Sequence, residues 1–99
     1  MARYDLYPNV EGDAYLLDVQ CDLLGHLNTR VVVPLLPPNI APMPGRRLNP
    51  IFIIDGKDYV MVTQFISAVT NSELRQANGN LSKHHDDIVA ALDMLFQGF

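Results

Sequence analysis

The sequence has 99 residues, 48% of them apolar and 18% charged, with a net charge of −4. That describes one globular domain, long enough for a core without metals or disulfides and too short for two domains. The acidic balance argues against a free-standing nucleic-acid binder, whose affinity rests on Lys and Arg neutralising phosphates. Cys21 is alone, so no internal disulfide can form.

Met1-Ala-Arg-Tyr-Asp5 has no apolar stretch after its charge, so no secretory signal is expected. No apolar run approaches the ~18–20 residues of a membrane span. A cytosolic protein fits both observations. Tyr4–Tyr7 and Ala14–Val19 read as short strands, with turn residues between them in Asn9-Val-Glu-Gly-Asp13. Arg30–Leu35, rich in β-branched residues, is expected as a third strand, and Pro34 within it suggests an edge, a bulge or the strand's end. Six of the seven prolines fall within residues 34–50, which reads as a long, stiff surface loop. Ile51–Ile54 and Tyr59–Thr63 flank Asp55-Gly56, a hairpin signal. Gln64–Val69 is ambiguous between a helical turn and a bend. Residues 70–80 read as irregular, with a turn at Asn78-Gly79-Asn80.

Ser82 is the expected N-cap of a final helix. Ile88, Leu92, Leu95, Phe96 and Phe99, widened by Val89, recur at helical spacing and form an apolar stripe. Most of such a stripe packs on a core. Its last members lie at or past the helix end, where little of the domain remains to cover them. A large apolar residue set off by Gly98 is expected either to dock on its own domain or to be offered to a partner. The fold expected from these elements is a strongly bent sheet of about five strands with one C-terminal helix, a small β-barrel-like domain.

Catalytic signals are weak. His84-His85 beside Asp86-Asp87 is expected to be a solvated first turn and not a metal site, because adjacent helical residues point about 100° apart and no His-x-x-x-His is present. Cys21 follows a strand with no base near it in sequence and reads as a small packed residue. No nucleophile elbow and no glycine-rich phosphate loop occur. Neither metal nor cofactor is expected. Arg46-Arg47, in the proline-rich loop, suits an acidic peptide or a nucleic-acid backbone. Asn28-Thr29-Arg30 is the one polar cluster suited to an RNA-cleaving groove. A binding protein is favoured over an enzyme.

Three segments, in this order and spacing, closely resemble the CcdB family of toxins. They are Asp18-Val-Gln-Cys-Asp-Leu-Leu24, Arg30-Val-Val-Val-Pro-Leu35 and Asp87-Ile…Ala91-Leu…Phe96-Gln-Gly98-Phe99. The resemblance spans residues 1–99 as a single toxin domain. It implies an SH3-like barrel (a five-stranded bent sheet, a small accessory sheet and a C-terminal helix) assembled as a homodimer in the bacterial cytoplasm. It implies a type II toxin–antitoxin toxin that binds the GyrA subunit of DNA gyrase and traps the enzyme on cleaved DNA. It also implies neutralisation by a CcdA-type antitoxin, the complex of the two binding operator DNA through the antitoxin and repressing its own operon. The family's gyrase-binding ending is Trp-Gly-Ile after a helical Phe. Phe96 and Gly98 match it, Phe99 replaces the aliphatic residue, and Gln97 stands in the tryptophan's place. Leu23 and Leu24 occupy the positions of an aliphatic pair that touches gyrase, and Asp93 stands where the family has Asn. Arg46 and Arg47 are candidate rim contacts for an acidic, disordered antitoxin. Two alternatives stay open: an mRNA-cleaving toxin of the MazF type, which shares the barrel, and a non-toxic relative that only binds antitoxin.

Overall fold

Runs of β-branched and aromatic residues form strands where they alternate between two faces. The computed structural model describes residues 1–9 and 13–99. Its strands are β1 (Leu6–Pro8), β2 (Tyr15–Asp18), β3 (Thr29–Leu36), β4 (Ile51–Ile54), β5 (Lys57–Met61) and β6 (Ser67–Thr70), and one helix, α1 (His85–Gln97), follows them. Five strands pair in the order β1-β2-β3-β5-β4, while β6 branches from β3. Every pairing is antiparallel. The chain is mainly β with one C-terminal helix, a curled half-barrel sheet with an extra strand, as the SH3-like reading expects. Among the described residues no helix is long and apolar enough to cross a membrane. The turn expected over residues 9–13 falls largely on residues 10–12, outside those described.

Pro34 lies inside β3, opposite Leu16 of β2. β3 pairs with β6 over Thr29–Val32 and with β5 over Leu35–Leu36. The Pro34 carbonyl accepts from Val62 N–H at 3.0 Å, so the nitrogen, which points the same way, faces the seam between the end of β5 and the start of β6. No donor is needed there. The strand therefore runs through Pro34 to Leu36, and the proline-rich loop is shorter than the sequence suggests.

Asp55 and Gly56 both have positive φ, 52° and 78°, and join β4 to β5 as a two-residue turn closed by Ile54 and Lys57. This is the mirror-type turn that matches the twist of a hairpin. Asn49, 6% exposed, ties the loop before β4 to the sheet. Its amide donates to Met61 O at 2.9 Å and Gln64 Oε1 at 2.8 Å, and its Oδ1 accepts Gly45 N–H at 2.9 Å.

The two faces of β2 and β3 bury different things. Leu17, Val33 and Leu35 join Phe52, Ile54, Tyr59 and Met61 in the main core, on which α1 lays Ile88 and Ala91. The other face carries Tyr7, Val32 and Leu74. There Asp18 and Arg30 are also buried, at 0% and 1% exposure. Leu74 comes from the stretch expected to be irregular, which contains a 3-10 turn at Asn71–Glu73.

The helix start differs from expectation. Ser82 is not the N-cap. A 3-10 turn, Ser82–His84, precedes α1, and no side chain caps either element. Instead Asn80 Oδ1 accepts the Ser82 N–H at 2.8 Å, because its amide Nδ2 is already held by Arg3 O and Asp5 Oδ1. Gln64–Val69 resolves into a 3-10 turn at Thr63–Phe65 and the first residues of β6.

Candidate interaction site at the helix end

The 3-10 turn Asp22–Leu24 follows β2 directly. Gln20 fixes it. Its Nε2 donates to Leu24 O at 3.1 Å, and its Oε1 accepts Val31 N–H at 3.1 Å. Asp18 Oδ1 takes the Gln20 N–H at 3.0 Å, and Asp22 Oδ1 takes the Arg3 N–H at 2.8 Å. A buried amide thus holds two consecutive leucines outward. Leu23 is 85% exposed and Leu24 44%.

At the other end of the sequence, Ile88 is fully buried, Leu92 and Leu95 are half-buried, and Phe96 and Phe99 are 70% and 72% exposed. The stripe therefore packs at its start and opens at its end. Gly98 terminates α1 in the left-handed region, φ 81°, and its N–H donates to Met94 O at 3.1 Å. Nothing lies within 4 Å of the position a Cβ would take. The constraint on Gly98 is its φ and not close approach, a glycine C-cap. Gln97 Nε2 donates to Asp93 Oδ1 at 3.3 Å, one turn back, so two of the expected site residues hold each other.

Leu24 and Phe96 border the same cleft of about 370 Å³, with Leu27, Val31, Ile66 and Leu92 along its walls. No lining side chain is charged. Arg46 and Arg47 are exposed in the loop before β4 and do not line it. Cys21 is exposed at this cleft, not packed as expected, because the tight turn after it directs the chain out of the sheet. Arg30 does not face a groove. Its place on the covered face of β3 buries it against Asp18, which removes one of the few cations from the RNA-cleaving reading.

His85 Nδ1 lies 2.6 Å from the Tyr4 hydroxyl, and the His84 ring packs on Phe52 with centroids 4.8 Å apart. Both histidines thus join the helix start to the sheet. Among the described residues no three of His, Cys, Asp and Glu gather as a metal-binding group. The cleft offers apolar contact and backbone-held leucines, not acid–base chemistry.

Sequence reasoning missed Gln20 as the organiser of this site. Its signal was present in the Asp-Val-Gln segment that carries the resemblance. Residues 3–98 match the family described as CcdB protein. No curated protein matches the chain.

Proposed function

The chain belongs to the CcdB family of toxin–antitoxin toxins, and from that premise we propose that it is a DNA gyrase poison. It binds GyrA through Leu23, Leu24, Asp93, Phe96, Gln97, Gly98 and Phe99, is not itself an enzyme, and acts in the bacterial cytoplasm. A CcdA-type antitoxin neutralises it, and the pair represses its operon. The observation that supports this reading best is that Leu24 and Phe96, far apart in sequence, border one uncharged cleft while Leu23, beside Leu24, and Phe99, three residues after Phe96, stand exposed. Exposed apolar patches of this kind mark protein-binding surfaces. A homodimer presents two such ends, and a two-fold target takes both.

The test is purified gyrase with ATP and supercoiled plasmid, with and without this protein. Protein-linked linear DNA is the expected product. Transcript cleavage in a purified translation system, with no linear DNA, would instead make it a ribonuclease. Neither activity from folded protein would leave a non-toxic antitoxin binder.

Gly98 gives a sharper readout. A Cβ at φ 81° costs about 1–2 kcal/mol, so Gly98→Ala frays the helix end that orients Phe99. Affinity for GyrA is expected to fall about five- to thirtyfold. Gly98→Asn, which tolerates the left-handed region better, stays closer to the parent. Equal affinities in a titration of all three proteins would show that this backbone angle is irrelevant to binding.

A further inference from the structure

The edges of the sheet are finished differently. β1 is covered: Asn78 N–H donates to Leu6 O at 2.7 Å, and Leu6 N–H donates to Gly79 O at 3.0 Å. β6 is a small, polar edge, Ser67-Ala-Val-Thr70. β4 is four residues, Ile51-Phe-Ile-Ile54, without a charge. Edges are ordinarily blunted by lysine, proline or a bulge within the strand, and β4 has none.

Its register leaves donors and acceptors free. Ile54 pairs with Lys57 and Phe52 with Tyr59, and the Pro50 carbonyl accepts Met61 N–H at 2.9 Å. Antiparallel residues alternate between facing their neighbour strand and facing away. The N–H and C=O of Ile51 and Ile53 therefore face away from β5, and no hydrogen bond from the described residues reaches them. The side chains of the same two residues are 52% and 67% exposed. Arg46 and Arg47, both exposed, sit on the turn just before this strand, and Asp55 and Asp58 lie at its far end.

We propose that β4 is a docking edge for an extended, acidic segment of the antitoxin, which adds to the sheet as a further strand with its carboxylates against Arg46 and Arg47. This rests on the toxin–antitoxin reading above. A second copy of this chain is the poorer occupant. An edge of four residues, about 13 Å long, presents far less than the ~800 Å² per partner that a stable interface needs. A disordered antitoxin instead adds this edge to contacts elsewhere as it folds on the toxin. Main-chain pairing supplies affinity, and alternate side chains supply specificity.

The test is residue-resolved amide hydrogen exchange on the toxin alone and in complex with the antitoxin encoded in its operon. Ile51 and Ile53 amides are expected to gain protection of about tenfold or more in the complex, because they alone on this strand lack a partner. Phe52 and Ile54, already bonded, change little. Ile53→Pro removes the outward donor while sparing the ladder to β5, and is expected to weaken antitoxin binding at least about thirtyfold. Ile53→Ala weakens it less. Should Ile53→Pro fail to fold, the exchange experiment on the parent protein still decides. A complex that forms with no added protection at Ile51 and Ile53 overturns the docking edge alone. Protection of those amides in concentrated toxin without antitoxin assigns the edge to self-pairing and also overturns it. Failure of the parent toxin to bind the antitoxin at all overturns the toxin–antitoxin reading with it.

Discussion

Replacing Arg30 by methionine is expected to destabilise the fold by about 3–5 kcal/mol, because it strands a buried charge. Arg30 Nε and Nη2 both lie 2.7 Å from Asp18 Oδ2, with the two side chains almost wholly excluded from water. Nη1 is buried with no partner among the described residues. The pair is thus an imperfect one, and its value lies in neutralising a charge that is already buried. Removing Arg30 leaves the Asp18 carboxylate with only the Gln20 N–H. Removing both charges together, in Asp18→Leu with Arg30→Met, is expected to cost much less than Arg30→Met alone, since apolar replacement of a whole buried pair is often close to neutral. Urea denaturation of both variants and the parent measures this directly. A double variant as unstable as the single one would show that packing, not the stranded charge, sets the loss.

The same pair sets a pH dependence. Burial pushes the Asp18 carboxyl above the usual carboxylate range, against the Gln20 N–H and Arg30, which pull it down. An acid whose pKa is raised by folding contributes stability below its unfolded pKa and loses it as pH rises through the folded value. Without Arg30 the shift grows. Arg30→Met should therefore regain part of its loss as pH is lowered from neutrality, while the parent changes less. A variant whose deficit stays constant from neutral to mildly acid pH would mean that Asp18 is not the group left stranded.

Local chemistry was legible where a residue's own conformation decides the outcome. Asp55-Gly56 marked its hairpin because both residues must adopt positive φ. The core role of Ile88 and the exposure of Phe96 and Phe99 followed from helical period and position near the helix end. What was not legible depends on neighbours far away in sequence. Pro34 was ambiguous because no local signal tells which side of β3 its nitrogen faces, or that the partner strand changes there. Arg30 read as part of a polar cluster suited to a groove because its burial depends on Asp18 on the same face of an adjacent strand. Ser82 does not cap the helix, and its own N–H is instead taken by Asn80, whose side chain Arg3 and Asp5 hold in place. Tyr4 adopts φ 72°, an angle no residue pattern announces, with its N–H donating to Asp18 O and its carbonyl accepting from Leu81 N–H, both far away in sequence. At the site, periodicity found the phenylalanines, while Leu23 and Leu24 came from the family resemblance. Gln20 ties the Leu23–Leu24 turn to β3, and it was hidden because its side-chain partners are backbone atoms.

Gln97→Trp is expected to tighten binding to GyrA thirtyfold or more, about 2–4 kcal/mol, if the partner keeps the pocket the family's tryptophan fills. Gln97 is exposed on the last turn of α1, and its side-chain amide donates to Asp93 over 3.3 Å on the surface. Exchanging it should leave stability within about 0.5 kcal/mol, as for most surface positions. A change in affinity would therefore report on the contact and not on the fold. Tryptophan brings a large rigid ring that an interface centre can desolvate, whereas glutamine buries little apolar area and leaves an amide to satisfy. The alternative is that Phe99 already fills that space. Then Gln97→Trp changes nothing, and Phe99→Ala abolishes binding. Calorimetric titration of the parent and both variants into a GyrA fragment separates the cases. A thirtyfold gain would mean that this chain is a weakened member of its family. No gain, with loss on Phe99→Ala, would mean that the aromatic anchor has moved two residues along the same helix end.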